Sequence, residues 1–175
     1  LTLAKAVEQY RPFFMEDLFA PEDCAWYQHV RDQCSTAVAM GELFVNQNEW
    51  LPLVANRWID FIRMHISAAG GLNLARKAAH CCEFFGVRTA WHGPGDVSPI
   101  GVAANIALDL TTSAFGIQEC HPYNDATHEV FSGTPDVVNS TPDGKAFRAH
   151  HLPATTQVKN NPSQNCHASH IAYAG

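Results

Sequence analysis

No apolar run in this 175-residue chain approaches the roughly 18 to 20 residues needed to cross a bilayer. The first residues also lack the basic-then-apolar plan of a secretory leader. Neither a membrane span nor export is expected, and the chain is read as cytoplasmic. Basic side chains are scarce too. Eleven Lys and Arg against seventeen Asp and Glu give a net charge of -6, which leaves no basic face for a phosphate backbone and argues against a nucleic-acid partner. The six cysteines (Cys24, Cys34, Cys81, Cys82, Cys120, Cys166) contain no CxxC pair, so buried free thiols are expected rather than a disulfide framework. Cys166-His167 with His170, near His150 and His151, offers zinc-ligand chemistry but has no second closely spaced cysteine pair. A phosphate cradle is excluded as well, since His92-Gly-Pro-Gly95 has neither the Lys-Ser/Thr ending of a P-loop nor GxGxxG spacing. Leu1 is not an initiator methionine, and the true start is expected upstream.

What the chain does have is composition for one core, 46% hydrophobic against 16% charged, and an alternation of short apolar runs with helical patterns. Leu3 to Tyr10 reads as a helix stopped by Pro12. Phe13-Phe14-Met15 reads as a short strand ending at Glu16-Asp17. Pro21-Glu22-Asp23 opens a helix expected to run to about Gln33, with its acids at the positive end of the dipole. Thr36 to Met40 is a second strand, ending at Gly41-Glu42, and Asn48 to Trp58 a helix despite Pro52. The apolar segment Trp58 to Ile66 carries Arg63 and His65. Leu72 to Phe85 has apolar residues at the 3.6 period with Gly86 as its cap. Phe84 to Trp91 leads to His92 at a strand end, and Gly93-Pro-Gly95 makes a turn before the helix Ile100 to Leu110. Phe115-Gly-Ile-Gln-Glu119 is a last short strand. Polar groups at the strand ends recur 21 to 29 residues apart, about one βα unit each, which predicts parallel strands joined by helical crossovers. Residues 1–119 are therefore read as the α/β domain. Residues 120–175, rich in Pro, Asn, Ser, Thr and His, are read as an irregular, loop-rich tail.

In such a layout the strand ends carry the chemistry. Glu16 and Glu42, at neighbouring ends, would repel unless a cation lay between them. With one further acid and water they suit magnesium, the alternative being solvated or helix-capping acids. Arg63 suits either a two-pronged contact to a substrate carboxylate or an ion pair with Glu42 or Asp60. His92 is either a catalytic imidazole or a satisfied structural one, with Asp96 in its loop. Glu119 by itself reads as an ordinary surface acid.

The segments Phe13-Phe-Met-Glu-Asp17 with Pro21-Glu-Asp23, Gly41-Glu42, Ile59-Asp-Phe-Ile-Arg63 with Ala69-Gly-Gly71, Arg88 to Asp96 with Ser98-Pro99, and Phe115 to Glu119 together resemble the enolase superfamily. More closely they are similar to its mannonate dehydratase group, the starvation-sensing proteins, over roughly residues 1–131. The resemblance implies a partial (β/α)8 TIM barrel of about five βα units and an Mg2+ cofactor. It implies removal of water across C2 and C3 of a sugar acid, D-mannonate or D-gluconate, to give 2-keto-3-deoxy-gluconate. Position by position it makes Glu16 and Glu42 metal ligands and sets Glu42, Arg63, His92, Asp96 and Glu119 against the sugar acid, with His92 also in a catalytic part. Full-length members are expected to be homo-oligomers. The family's first metal ligand, its acid histidine, its proton-abstracting tyrosine and arginine and its capping domain would all lie upstream of Leu1. Pro94 stands where efficient mannonate dehydratases carry alanine, and the family's closing segments are not found past Phe131. The 175-residue chain is thus expected to turn over little or nothing, because the base alone is worth a factor of about 10² to 10⁴. The competing reading is a non-catalytic sugar-acid-binding or regulatory remnant.

Overall fold

A computed structural model describes residues 1–141 and 144–148. The His150-His151 and Cys166-His167-x-x-His170 groups lie outside the described residues. Two compact units are present. The first comprises Leu1–Gly93 with Ala104–Glu119, and the second comprises Pro94–Ala103 with the described residues that follow Glu119.

The first unit is built on four parallel strands in sequence order: β1 (Met15–Glu16), β2 (Val38–Met40), β3 (Phe61–Ile62) and β4 (Arg88–Thr89). Register is fixed by Met15 opposite Val38, Ala39 opposite Phe61 and Ile62 opposite Thr89. The strands are short, yet the ladder runs past their ends: Arg63 N–H donates to the Met40 carbonyl at 2.8 Å and His92 N–H to the Met64 carbonyl at 3.1 Å. This is the expected parallel α/β sheet of a partial barrel, with one difference. The predicted fifth strand at Phe115–Glu119 is reduced to an isolated parallel bridge between Thr89 and Phe115. Thr89 N–H reaches the Ala114 carbonyl, and the amides of Gly116 and Ile117 both turn to the Thr89 carbonyl, so the pairing closes on one residue and goes no further.

The connections are helical: α1 (Thr2–Val7), α2 (Tyr27–Arg31), α3 (Gln47–Ala55), α4 (Leu72–Phe85) and α5 (Pro99–Asp109), which begins in the second unit and ends in the first. The helix expected from Pro21 to Gln33 opens instead as a 3-10 turn, Pro21–Trp26, because Asp23 sits at φ -101°, ψ 21°, outside helical geometry. α3 is set by a reciprocal cap. The Asn46 side chain accepts from the Asn48 amide at 2.9 Å while Glu49 accepts from the Asn46 amide at 3.1 Å. Replacing Asn46 by Ala is expected to cost about 1 kcal/mol, a fall of about 2–4 °C in melting temperature. A melting curve that does not move would mean the exposed end of α3 frays at no cost.

Strand side chains alternate between faces. Val38, Met40, Ile62, Met64 and Trp91 enter the main core with Tyr27 and Val30 of α2, Leu53 and Val54 of α3, and Ala75, Ala78, Ala79 and Cys82 of α4. Ala39, Phe61 and Ala90 form a separate small cluster with Phe14 and Ile117, extended by Phe13, whose ring centroid lies 5.4 Å from that of Phe61. Cys34 and Cys82 are buried free thiols and Cys24 and Cys81 half-buried ones, as expected of thiols within apolar helical patterns. Among the described residues no helix is long and apolar enough to cross a membrane.

In the second unit the reading of residues 120–175 as irregular does not contain two elements that are present: α6 (Asp125–Val130), capped by Asn124, and an antiparallel hairpin of β5 (Asp136–Thr141) and β6 (Gly144–Arg148). Tyr123 donates its hydroxyl proton to the Val97 carbonyl at 2.7 Å.

Candidate functional site

The alternation that sends Met15, Met40, Ile62, Met64 and Trp91 into the main core sends Glu16, Arg63 and His92 to the other face, beyond the Ala39, Phe61 and Ala90 cluster. Two glycines shape the ends. Gly41 has φ +137°, and a Cβ there would lie 3.0 Å from the Phe44 ring and 3.2 Å from the Arg63 amide, so the chain turns sharply at the end of β2 and delivers Glu42. At Gly93 a Cβ would fall 2.4 Å from the Glu119 carbonyl oxygen, so only glycine lets these two strand ends meet.

Charges converge there. Glu16, Asp17 and Glu42 each offer one carboxylate oxygen within 4.8 Å of the other two. Arg63, only 6% exposed, donates through Nε to Glu16 and through one terminal nitrogen to Glu119 at 2.8 Å. Glu119 Oε2 also accepts the Gly93 amide at 2.8 Å, and His92 Nε2 lies 3.1 Å from Glu42 Oε2. Burial works against the Arg63 charge, but the Glu119 and Glu16 carboxylates outweigh it and hold the guanidinium above its ordinary pKa. Burial likewise pushes Glu119 up, and the Gly93 amide and Arg63 bring it below the usual carboxylate range. Asp17 goes the other way. Burial, then Glu42, then Glu16 raise its pKa, and its backbone sits in the left-handed region at φ +48°, a conformation that tends to be kept where function requires it. Three hard oxygen donors within 4.8 Å of one another fit a divalent cation such as magnesium in both charge and donor type.

Five of the six residues singled out from sequence, Glu16, Glu42, Arg63, His92 and Glu119, meet in the first unit. Asp96 belongs to the second unit, exposed on a turn at Gly95–Asp96. The ion-pair alternative for Arg63 named the wrong acids. Its partners are Glu16 and Glu119, while Asp60 is taken by Arg31 at 2.7 Å and by the Val38 amide at 2.8 Å. Sequence reasoning misses two residues at the site. Asp17 reads only as the end of a strand, although the pair of acids calls for one further carboxylate. His65 sits inside an apolar segment, although it lies two residues past Arg63 on the same alternation.

Residues 1–144 match the family model for the enolase C-terminal domain-like fold, and the chain belongs to that family. Its relatives include a D-galactonate dehydratase family member of Salmonella enteritidis PT4, 56% identical over 137 residues, and RspA of the same family from Pantoea ananatis, 58% identical over 135 residues. These matches cover 78% and 77% of this chain but only 33% and 32% of the relatives, so the chain spans about a third of their length. A crystal structure of an enolase from Pantoea ananatis, with D-gluconate and magnesium bound, superposes with a TM-score of 0.76 at 58% identity, covering 78% of this chain and 33% of that one.

Proposed function

We propose that Glu16, Asp17 and Glu42 hold a magnesium ion, and that Glu42, Arg63, His92, Asp96 and Glu119 contact a sugar acid. On this reading the chain is the C-terminal barrel part of a magnesium-dependent acid-sugar dehydratase of the mannonate dehydratase group, acting on D-mannonate or D-gluconate. The observation that carries it is the set of three mutually crowded carboxylates beside a buried arginine. The D-gluconate and magnesium in the Pantoea ananatis structure support it, and Pro94 resembles the branch linked to gluconate or to weak or unassigned activity.

Bound magnesium supplies Lewis-acid stabilisation of charge on the substrate carboxylate. The chain's own groups do the rest. Arg63 fixes Glu16 and Glu119 and places a permanent positive charge next to where the acid group sits. Glu119, kept ionised, is an acceptor for substrate hydroxyls. His92, whose Nε2 lies 3.1 Å from Glu42, gives or takes a proton at a substrate oxygen. Because these roles are binding and electrophilic rather than proton abstraction from carbon, turnover by the 175-residue chain is expected to be weak or nil.

Calorimetry tests the reading. Magnesium should bind the chain, D-gluconate should bind in its presence, and Glu16→Gln and Glu42→Gln should each weaken magnesium by tenfold or more. Magnesium affinity that ignores both substitutions would sink it.

A further inference from the structure

Resting on that reading, we infer that His65 is a further ligand-binding residue of the site, contacting a hydroxyl of the sugar acid through the imidazole nitrogen that Ser67 leaves open. The inference comes from the ring nitrogens of two neighbouring histidines. The His65 and His92 rings lie 5.8 Å apart between centroids, tilted by 57°. Of their four nitrogens, His92 Nε2 faces Glu42 at 3.1 Å and His92 Nδ1 is buried without a partner among the described residues. His65 Nδ1 pairs with the Ser67 hydroxyl at 2.9 Å. His65 Nε2 is the remaining one, with no protein partner among the described residues and no burial to close it off. His92 reaches a ligand only by giving up Glu42, whereas His65 is open already.

Placement agrees. Phe61 and Arg63 occupy the face of β3 that carries the site, and His65 continues that alternation. In the run Arg63 to Ile66 the other three residues are buried and His65 alone is half-exposed. The Ser67 contact holds the ring in one orientation, which lowers the entropy lost when a ligand binds. A sugar-acid hydroxyl both donates and accepts, so it meets Nε2 in either tautomer. The ligand class this adds is a polyhydroxy acid, as opposed to a simple 2-hydroxy acid with nothing to offer a second imidazole.

The experiment is calorimetry on the 175-residue chain with magnesium, D-gluconate and, as a short comparison ligand, lactate. His65→Ala should weaken D-gluconate by tenfold or more, leave magnesium affinity unchanged, and narrow the preference for D-gluconate over lactate. His65→Gln, which keeps a polar group of similar reach, should recover part of the loss, and Ser67→Ala, at an exposed position, should weaken D-gluconate by a smaller factor. Circular dichroism checks that each variant is folded, and the glutamine and Ser67 variants carry the test should the alanine variant not fold. A wild-type chain that binds magnesium but no D-gluconate overturns the function and this inference together. Binding of D-gluconate that is intact in wild type and unchanged in all three variants overturns the inference alone.

Discussion

Replacing Arg63 by Ala is expected to destabilise the chain by about 3 kcal/mol, which for a protein of this size lowers the melting temperature by about 6–12 °C. Breaking a buried ion pair by removing one partner costs about 3–5 kcal/mol, because the remaining charge is left uncompensated. Here the arginine side chain is 7% exposed while Glu16 and Glu119 keep 31% and 36% of theirs, so water takes up part of the loss and the lower end of the range applies. The effect is concentrated, since one guanidinium serves both acids and also reaches the Ala90 carbonyl at 3.4 Å. Without it Glu16 loses the cation that offsets its repulsion by Asp17 and Glu42. Arg63→Lys keeps the charge but not the fork, and should recover less than half the loss. Adding magnesium should raise the melting temperature of the Ala variant more than that of wild type, since a cation among the carboxylates replaces part of the missing charge. Thermal unfolding by circular dichroism, with and without magnesium, measures both effects. A shift under 2 °C, or an equal response to magnesium, would show that Arg63 does not organise the cluster.

The parts of this arrangement that could be read from sequence are those governed by period. Apolar runs ending in a polar residue, separated by helical patterns, give the order of β1 to β4 and place Glu16, Glu42, Arg63 and His92 at their ends, because a parallel strand has to finish on the same side as its neighbours. What could not be read depends on which tertiary partner wins. Asp60 is as near to Arg63 in sequence as a partner can be, yet the alternation that sends Arg63 to one face leaves Asp60 to Arg31 and the Val38 amide. The 3-10 opening at Pro21 turns on one backbone angle at Asp23 that composition does not encode. The Phe115–Glu119 run carries strand-forming Phe115 and Ile117, but the amides of Gly116 and Ile117 both converge on the Thr89 carbonyl, and a ladder cannot propagate from a shared acceptor. Asp17 and His65 were legible in principle. Asp17 adjoins a predicted ligand, and His65 follows from applying period two to Arg63 for one step more.

The second large effect lies away from the acid cluster. Asp109, near the end of α5, is 8% exposed, and among the described residues neither carboxylate oxygen has a hydrogen bond of ordinary length and angle, the Trp91 indole being the polar group that acts on it. Burial pushes its pKa up from 3.8 to about 8, with the Trp91 indole pulling it slightly back. No charged group acts on it among the described residues, so the carboxyl is held as the neutral acid at neutral pH. The folded state therefore binds a proton that the unfolded state releases above pH 3.8. Stability from this group is fully present below that value and is lost as pH rises toward about 8, with a slope approaching about 1.4 kcal/mol per pH unit. Asp109→Asn removes the ionisation while keeping the shape. The difference in unfolding free energy between wild type and this variant, taken at matched pH, should fall steadily from pH 5 to pH 8 and leave the variant more stable at pH 8 by about 3 kcal/mol. Using the difference isolates the group at position 109 from the rest of the chain, which is common to both proteins. Asp109→Leu, which offers no polar atom at all, should show the same flattened pH response. If the difference curve is level across this range, Asp109 is ionised in the folded chain, and an unseen partner must be satisfying its charge.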